Sequence, residues 1–101
     1  MSNIVRKGDF LVFVSVYEQV TEFFISSINI DLDNCSTGST GRKEVHGCFG
    51  FHLRTGYYYK PGYNYWITRK ATLEERDRFL RWLEEKGHKV NLNTMEITLN
   101  R

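Results

Sequence analysis

The sequence has little cysteine and almost no proline. Its 101 residues include two cysteines, Cys35 and Cys48, and a single proline, Pro61. Two cysteines are too few for a small secreted scaffold built on disulfides, and these two do not form a Cys-x-x-Cys pair. We therefore expect two free thiols in a reducing, cytoplasmic compartment.

Long apolar runs and blocks of like charge are also missing. No apolar run approaches the roughly 20 residues of a transmembrane helix, and the first residues do not have the pattern of a signal peptide. The formal net charge is +2, from 14 Lys and Arg against 12 Asp and Glu. No membrane contact and no polybasic or acidic tail are predicted.

Aromatic residues are the plentiful class. Phe, Tyr and Trp make up 15% of the chain, within a hydrophobic fraction of 41% and a charged fraction of 26%. This balance is typical of a globular protein, and the length fits a single domain over residues 1–101. Large rings would help so small a domain to fill a core.

Three segments in the first half of the chain have strand patterns. The nearly continuous apolar run at 9–17 predicts a strand buried on both faces. Residues 20–32 alternate and predict a long strand with one buried face. Residues 45–54 alternate too, which would place Val45, Phe49, Phe51 and Leu53 on one face and His46, Cys48 and His52 on the other. Between the last two segments, residues 33–43 are rich in Ser, Thr and Gly and predict a flexible loop.

The second half predicts two hairpins around one helix. Residues 57–68 are interpreted as a hairpin with Pro61-Gly62 in its turn. Thr72 and Glu75 form a capping-box pattern at the start of a helix that Gly87 would end. Its apolar stripe would contain Phe79, Leu80 and Leu83, flanked by Leu73 and Trp82. Residues 88–99 predict a short closing hairpin.

Together these elements predict an α+β fold. We expect a curved antiparallel sheet or small barrel of five to six strands, covered by one C-terminal helix and followed by the closing hairpin.

Two segments carry a resemblance. The ending WITRKATLEER (66–76) with GHKVN (87–91), and the opening RKGDFLV (6–12), resemble small uncharacterised proteins of phages and mobile elements from gut bacteria. Val90 stands where their pattern usually has an aromatic residue. The resemblance implies a similar fold and genomic setting, and it implies no catalytic residue.

Several residues are candidates for metal binding or catalysis. His46 and Cys48 are spaced to share a metal or to act as a base and a thiol. His52, however, would lie about 20 Å from His46 along an extended strand, so a full ligand set is missing. The carboxylates of Asp31 and Asp33 are more typical of a strand end than of an acid–base pair. We therefore expect no catalytic residue, no metal and no cofactor, and a protein that is not an enzyme.

The segment Phe49-Gly50-Phe51 is similar to the aromatic strand of RNA-recognition and cold-shock domains. Cys48 stands where those families place a glycine, and the alternation puts both phenylalanines with Val45 in the core. This triplet is therefore interpreted as core.

The tyrosine-rich segment is the stronger candidate for a binding site. If Ile67 is core, Tyr57, Tyr59 and Trp66 of the predicted hairpin point outward. The predicted partner-binding residues are Tyr57, Tyr59, Lys60, Tyr63, Trp66 and Arg69. Rings beside cations suit a protein interface or a single-stranded nucleic acid, and a third interpretation buries them under the helix.

The near-neutral charge favours a protein partner over nucleic acid. The sequence therefore predicts a small binding or adaptor protein, a regulator or inhibitor of a phage or mobile element that acts on a protein partner. The alternative is a single-stranded nucleic-acid-binding protein that uses the same aromatic and basic hairpin.

Overall fold

A computed structural model of the chain describes residues 3–99. The strands are β1 (Ile4–Val5), β2 (Phe10–Val14), β3 (Val20–Ser26), β4 (Ile30–Asp31), β5 (Lys43–His46), β6 (Cys48–His52), β7 (Tyr58–Tyr59), β8 (Asn64–Ile67), β9 (Arg69–Lys70), β10 (Lys89–Asn91) and β11 (Glu96–Thr98). Helix α1 spans Leu73–Glu85, and a single 3-10 turn spans Leu32–Asn34. None of the helical segments in this part of the chain has the length and apolar character of a membrane-spanning helix.

Five strands form the central sheet, in the order β7-β6-β3-β2-β9, and all neighbours are antiparallel. Phe23 in β3 lies opposite Val12 in β2 and Phe51 in β6. Strand β2 is buried or half-buried along its length, as predicted, but it is shorter than the predicted segment 9–17, because Val16 and Tyr17 lie beyond it and are exposed. The prediction of one long strand over 20–32 is wrong, because β3 ends at Ser26 and is covered on both faces: residues 23–26 are all buried.

One face of the sheet packs against α1. The helix-side core consists of Phe10, Val12, Phe23, Ile25, Phe51, Phe79 and Leu83. Its centre is a set of near-parallel rings: Phe23 lies 4.4 Å from Phe79 and 4.9 Å from Phe51, between ring centroids. Trp82 contacts Phe23 edge-on at 5.5 Å. These rings account for much of the aromatic excess in the sequence.

Helix α1 begins and ends where the sequence predicts. The Thr72 hydroxyl accepts a hydrogen bond from the Glu75 amide, and the Glu75 carboxylate accepts one from the Thr72 amide. Gly87 follows the helix with φ of +79°, the left-handed conformation that ends many helices. The stripe is narrower than predicted, because Leu73 is 79% exposed and contributes nothing to the core.

The opposite face is covered by the paired strands β5 and β8, here called the ribbon, and by the β1–β4 pair. The ribbon-side core consists of Val5, Leu11, Phe24, Ile30, Leu32, Val45, Cys48 and Ile67. The fold is thus α+β, with one α-helix in the described part of the chain and a five-stranded antiparallel sheet. The strand pairs of residues 3–99 do not close into a barrel.

A corner at Gly47 separates β5 in the ribbon from β6 in the sheet. Gly47 has φ of +85°, and a Cβ there would lie 2.7 Å from the Ile28 side chain, so glycine is required. The prediction of one uninterrupted strand over 45–54 is therefore wrong. The corner resets the alternation, so that Val45 enters the ribbon-side core and Phe51 the helix-side core.

The predicted hairpin over 57–68 is also wrong. Strand β7 pairs with β6 in the central sheet, whereas β8 pairs with β5 in the ribbon. The two halves of the segment therefore belong to different layers, although their tyrosine rings still meet. The closing hairpin is confirmed, since β10 pairs with β11 and Val90 lies opposite Ile97.

The glycine-rich loop at 33–43 has internal hydrogen bonds. The Gly38 amide donates to the Arg42 carbonyl, and the Lys43 ammonium donates to the Thr37 hydroxyl at 2.7 Å. Its predicted flexibility stays a prediction.

Candidate functional site

Three hollows lie side by side in the protein surface, and the middle one shares lining residues with each of the other two. The first, of about 340 Å³, is lined by Phe13, Arg42, Trp66 and residues 38–40 of the glycine-rich loop. Gly38 packs closely on Trp66: a Cβ on Gly38 would lie 3.1 Å from the indole ring. The loop and the outer face of β8 thus meet here.

The second hollow, of about 290 Å³, is lined mainly by rings. Its walls are Phe13, Glu22, Phe24, Tyr59, Asn64, Tyr65 and Trp66. Residues Phe13 and Glu22 lie directly opposite each other on β2 and β3. They form the floor of the hollow, and residues of β7 and β8 form its sides.

The third hollow, of about 420 Å³, lies in the tyrosine-rich segment. It is lined by Tyr57, Tyr58, Tyr59, Lys60, Tyr63 and Tyr65. The Tyr65 hydroxyl donates to the Lys60 carbonyl at 2.6 Å. This hydrogen bond holds the connection between β7 and β8 close to the Tyr65 ring.

The shared walls make one continuous surface. Phe13 and Trp66 line the first and second hollows, and Tyr59 and Tyr65 line the second and third. We call this surface the aromatic groove; its rings are those of Phe13, Tyr57, Tyr59, Tyr63, Tyr65 and Trp66. Three of these rings are largely open to solvent: Tyr57 is 72% exposed, Tyr63 71% and Trp66 42%.

A glycine in the sheet makes room for the middle of the groove. Gly50 lies opposite Phe24 and Tyr59 on the neighbouring strands. A Cβ at this position would lie 2.7 Å from the Phe24 ring and 2.9 Å from the Tyr59 ring. Tyr65 then packs on both rings, with centroid distances of 5.6 Å to Phe24 and 5.5 Å to Tyr59. The middle of the groove therefore depends on the absence of a side chain at Gly50.

Arg42 stands at one end of the groove. Its guanidinium lies over the Phe13 ring, 4.4 Å from the centroid, and its Nη2 donates to the Val14 carbonyl at 2.7 Å. Its Nε is buried without a hydrogen-bond partner among residues 3–99. The Arg42 side chain thus fixes the glycine-rich loop to the end of β2.

Glu22 places a carboxylate in the second hollow. It is half-buried, and within the described residues it makes no ion pair and accepts no hydrogen bond. Burial raises the pKa of Glu22. The charge of His52, which lies opposite Glu22 on β6, lowers this pKa by a smaller amount. Burial likewise raises the pKa of the Tyr59 hydroxyl, and the nearby Glu22 charge raises it further.

Most of the predicted binding residues come together. Tyr57, Tyr59, Lys60 and Tyr63 line the third hollow, and Trp66 lines the first two. Tyr59 is half-buried rather than fully outward, because it packs on Tyr65 and into the space left by Gly50.

Arg69 lines none of the three hollows. Strand β9 is at the opposite edge of the sheet from β7, four strand spacings or about 19 Å away. There the Arg69 guanidinium donates to both carboxylate oxygens of Glu75, at 2.7 and 3.1 Å. This hydrogen bonding lowers the pKa of Glu75 to about 2. The contacts of Arg69 thus support the start of α1.

Three groove residues escape sequence reasoning: Phe13, Glu22 and Arg42. Phe13 belongs to a run in which every residue looks like core, and Arg42 belongs to a loop whose one apolar residue is Cys35. Glu22 does leave a signal, since it is the one charged residue in the otherwise apolar or neutral strand VTEFFIS. Their assembly depends on strand pairing that local patterns do not reveal.

The residues weighed for thiol and metal chemistry are dispersed. Cys48 is fully buried, which raises the pKa of its thiol to about 11 and leaves it protonated at neutral pH. His46 is exposed on the ribbon, whereas His52 lies in the sheet, where its Nδ1 accepts from the Thr55 amide. Both thiols are free, as predicted. No three His, Cys, Asp or Glu side chains of residues 3–99 come together as a metal-binding group.

Comparisons of this chain with family models, curated proteins and solved structures gave no match to any family, protein or structure. The aromatic groove is therefore the feature of this chain from which a function can be inferred.

Proposed function

We propose that this chain is a small non-enzymatic binding protein whose aromatic groove takes up a segment of a protein partner. The observation that carries the proposal is that three hollows adjoin in a row: the first and second share Phe13 and Trp66, and the second and third share Tyr59 and Tyr65. A continuous channel suits an extended segment better than a single small molecule.

The chemistry of the groove supports a protein partner. Tyr and Trp are enriched among the residues that dominate protein interfaces, because they bury a large area at a small cost in side-chain entropy. Tyr57, Tyr63 and Trp66 leave much of their ring area in water. Covering them would provide the apolar contribution to binding.

The setting of this activity follows from the resemblance of residues 6–12, 66–76 and 87–91 to small proteins of phages and mobile elements. In that setting, the partner would be a protein that this chain regulates or inhibits.

Single-stranded nucleic acid is the second candidate. Arg42 lies at one end of the groove and Lys60 at the other, and bases stack on rings such as those between them. The Glu22 carboxylate, however, lies between these cations and would repel a phosphate backbone. The net charge of +2 also favours a protein partner, because nucleic-acid-binding domains are usually more basic than this.

Selection from a random-peptide display library tests the proposal. We expect the chain to enrich a consensus of related peptides, and we expect Trp66→Ala with Tyr57→Ala to bind the enriched peptides at least about tenfold more weakly. Leu73→Ala is the matched control, because it also removes an exposed apolar side chain but lies on α1, outside the groove. If the Trp66→Ala, Tyr57→Ala variant bound the enriched peptides as tightly as the wild-type chain, the proposal would be overturned.

Fluorescence anisotropy of labelled single-stranded RNA and DNA tests the second candidate. We expect weak binding even at low salt. Micromolar binding that falls steeply with salt and disappears in the Trp66→Ala, Tyr57→Ala variant would replace the protein partner with nucleic acid.

A further inference from the structure

The second hollow combines rings with one carboxylate. Phe13, Tyr59, Tyr65 and Trp66 contribute aromatic walls, and Glu22 contributes the only ionisable carboxylate among the lining residues. Its volume of about 290 Å³ lies just below the usual range of small-molecule pockets, about 300–1,000 Å³. It is suited to the end of one side chain or to a small cation.

Aromatic faces carry a partial negative charge and attract cations. Phe13 already shows this, because the Arg42 guanidinium lies 4.4 Å above its ring in the first hollow. Arg42 is not among the residues that line the second hollow. None of the residues that line the second hollow carries a positive charge.

Glu22 adds the complementary charge. Among residues 3–99, the half-buried Glu22 carboxylate makes no ion pair and accepts no hydrogen bond, and the charge of His52 on β6 offsets only part of its lost hydration. Burial accordingly raises its pKa. Glu75 shows the contrasting case in the same molecule, since Arg69 compensates its charge. A cation placed in the second hollow would give Glu22 the ion pair that it does not make with residues 3–99.

We infer that the second hollow binds the positively charged end of a side chain, an ammonium, alkylammonium or guanidinium group, presented by the protein partner. This inference rests on the proposed function for the source of the cation, and it names the chemistry that the partner must offer. An anionic group is disfavoured there, because it would meet the Glu22 carboxylate in a partly desolvated site.

The two tryptophans of the chain allow a direct test. Trp66 lines the second hollow, whereas Trp82 packs on Phe23 in the helix-side core. In a ¹H–¹⁵N NMR titration with choline, acetyl-lysinamide or acetyl-argininamide, we expect the Trp66 indole signal to move and the Trp82 signal to stay. The uncharged choline analogue 3,3-dimethyl-1-butanol should bind at least about tenfold more weakly. Failure of all three cations to shift Trp66, or equal binding of the uncharged analogue, would overturn the inference.

Glu22→Gln removes the charge and keeps the shape. We expect it to weaken binding of the same cations at least about tenfold, while an unchanged Trp82 signal shows that the fold is intact. The matched control is Glu96→Gln, which removes an exposed carboxylate from β11 in the closing hairpin and should leave binding unchanged. Equal affinity of Glu22→Gln and the wild-type chain would contradict a charge-selective site.

The results also separate this inference from the proposed function. Enriched display peptides without any response to the cations would leave the binding protein standing and remove the cation site. A response to the cations without peptide enrichment would support the cation site and remove the peptide segment as its source.

Discussion

Helix α1 and the ribbon cover opposite faces of one sheet, and they differ in how completely they do so. On the helix side, Phe79 and Leu83 close over Phe23 and Phe51 in a dry, ring-stacked core. The ribbon has only four residues in each strand. Next to it, Phe13 and Glu22 line hollows on the surface. In this fold the same sheet supports a closed core on one face and a row of aromatic hollows beside the other.

The comparison teaches what aromatic residues do in each place. Phenylalanines dominate the centre of the helix side, because their rings carry no polar atom that would need a hydrogen-bond partner when buried. Tyrosines dominate the groove, where a hydroxyl can remain in water or bond to the backbone, as Tyr65 does to Lys60. The high aromatic content therefore has two separate causes.

The largest expected effect contrasts one ring from each side. Phe79→Ala should lower the free energy of unfolding by about 3–5 kcal/mol, because it leaves a cavity among stacked rings. Trp66→Ala should lower it by about 1 kcal/mol or less, because the ring is 42% exposed. Urea unfolding measures both, and equal losses would show that the groove rings are core.

A substitution in the sheet should damage the groove selectively. Gly50→Ala introduces a methyl group 2.7 Å from the Phe24 ring and 2.9 Å from the Tyr59 ring, so one of them must move. We expect a loss of about 1–3 kcal/mol in unfolding free energy, with NMR shift changes concentrated at Tyr59 and Tyr65. Changes concentrated at Phe23 and Phe79 instead would contradict this placement.

The cap of α1 should have an intermediate effect. Thr72→Ala removes the hydroxyl that accepts from the Glu75 amide and should cost about 1 kcal/mol. Thr72→Ser keeps the hydroxyl and should restore most of the loss. A denaturant midpoint that is the same for Thr72→Ala and the wild type would contradict the capping role.

The smallest expected effects have opposite signs on the two sides. Glu22 has a raised pKa, so its burial costs stability at neutral pH, and this cost disappears below the ordinary Glu pKa. Glu75 has a pKa lowered to about 2, so its stabilisation is present at neutral pH and is lost as the pH falls towards that value. At pH 7 we expect Glu22→Gln to raise, and Glu75→Gln to lower, the urea midpoint; both differences should shrink at pH 3. The same sign for both variants at pH 7 would be inconsistent with this contrast.

Local patterns predicted what local interactions determine. Thr72, Glu75 and Gly87 define the helix through contacts within a few residues, and all three have their predicted roles. The α+β class and the closing hairpin followed from similar short-range signals. Alternation around a core Ile67 also predicts that Tyr57, Tyr59 and Trp66 point outward; Ile67 is buried, Tyr57 and Trp66 are exposed, and Tyr59 is half-buried.

Pairing between strands that are distant in the sequence cannot be predicted from local patterns. Whether Tyr58–Tyr59 pairs with β6 or with β8 depends on the layer that each strand joins. Alternation within the segment does not distinguish these two pairings. Gly47 changes layers through its backbone conformation, which its neighbours in the sequence do not reveal. Phe13, Glu22 and Arg42 join the groove only after these pairings have formed.

The position of β2 and β3 between two later layers has a consequence during biosynthesis. Both strands leave the ribosome before β8 and α1, the elements that cover their two faces, have been made. At about 5–20 residues per second, the 53 residues from Ser26 to Phe79 take roughly 3–10 s to synthesise. For that interval the face that α1 will cover keeps its apolar side chains exposed, so the growing chain is more prone to aggregation than the finished protein.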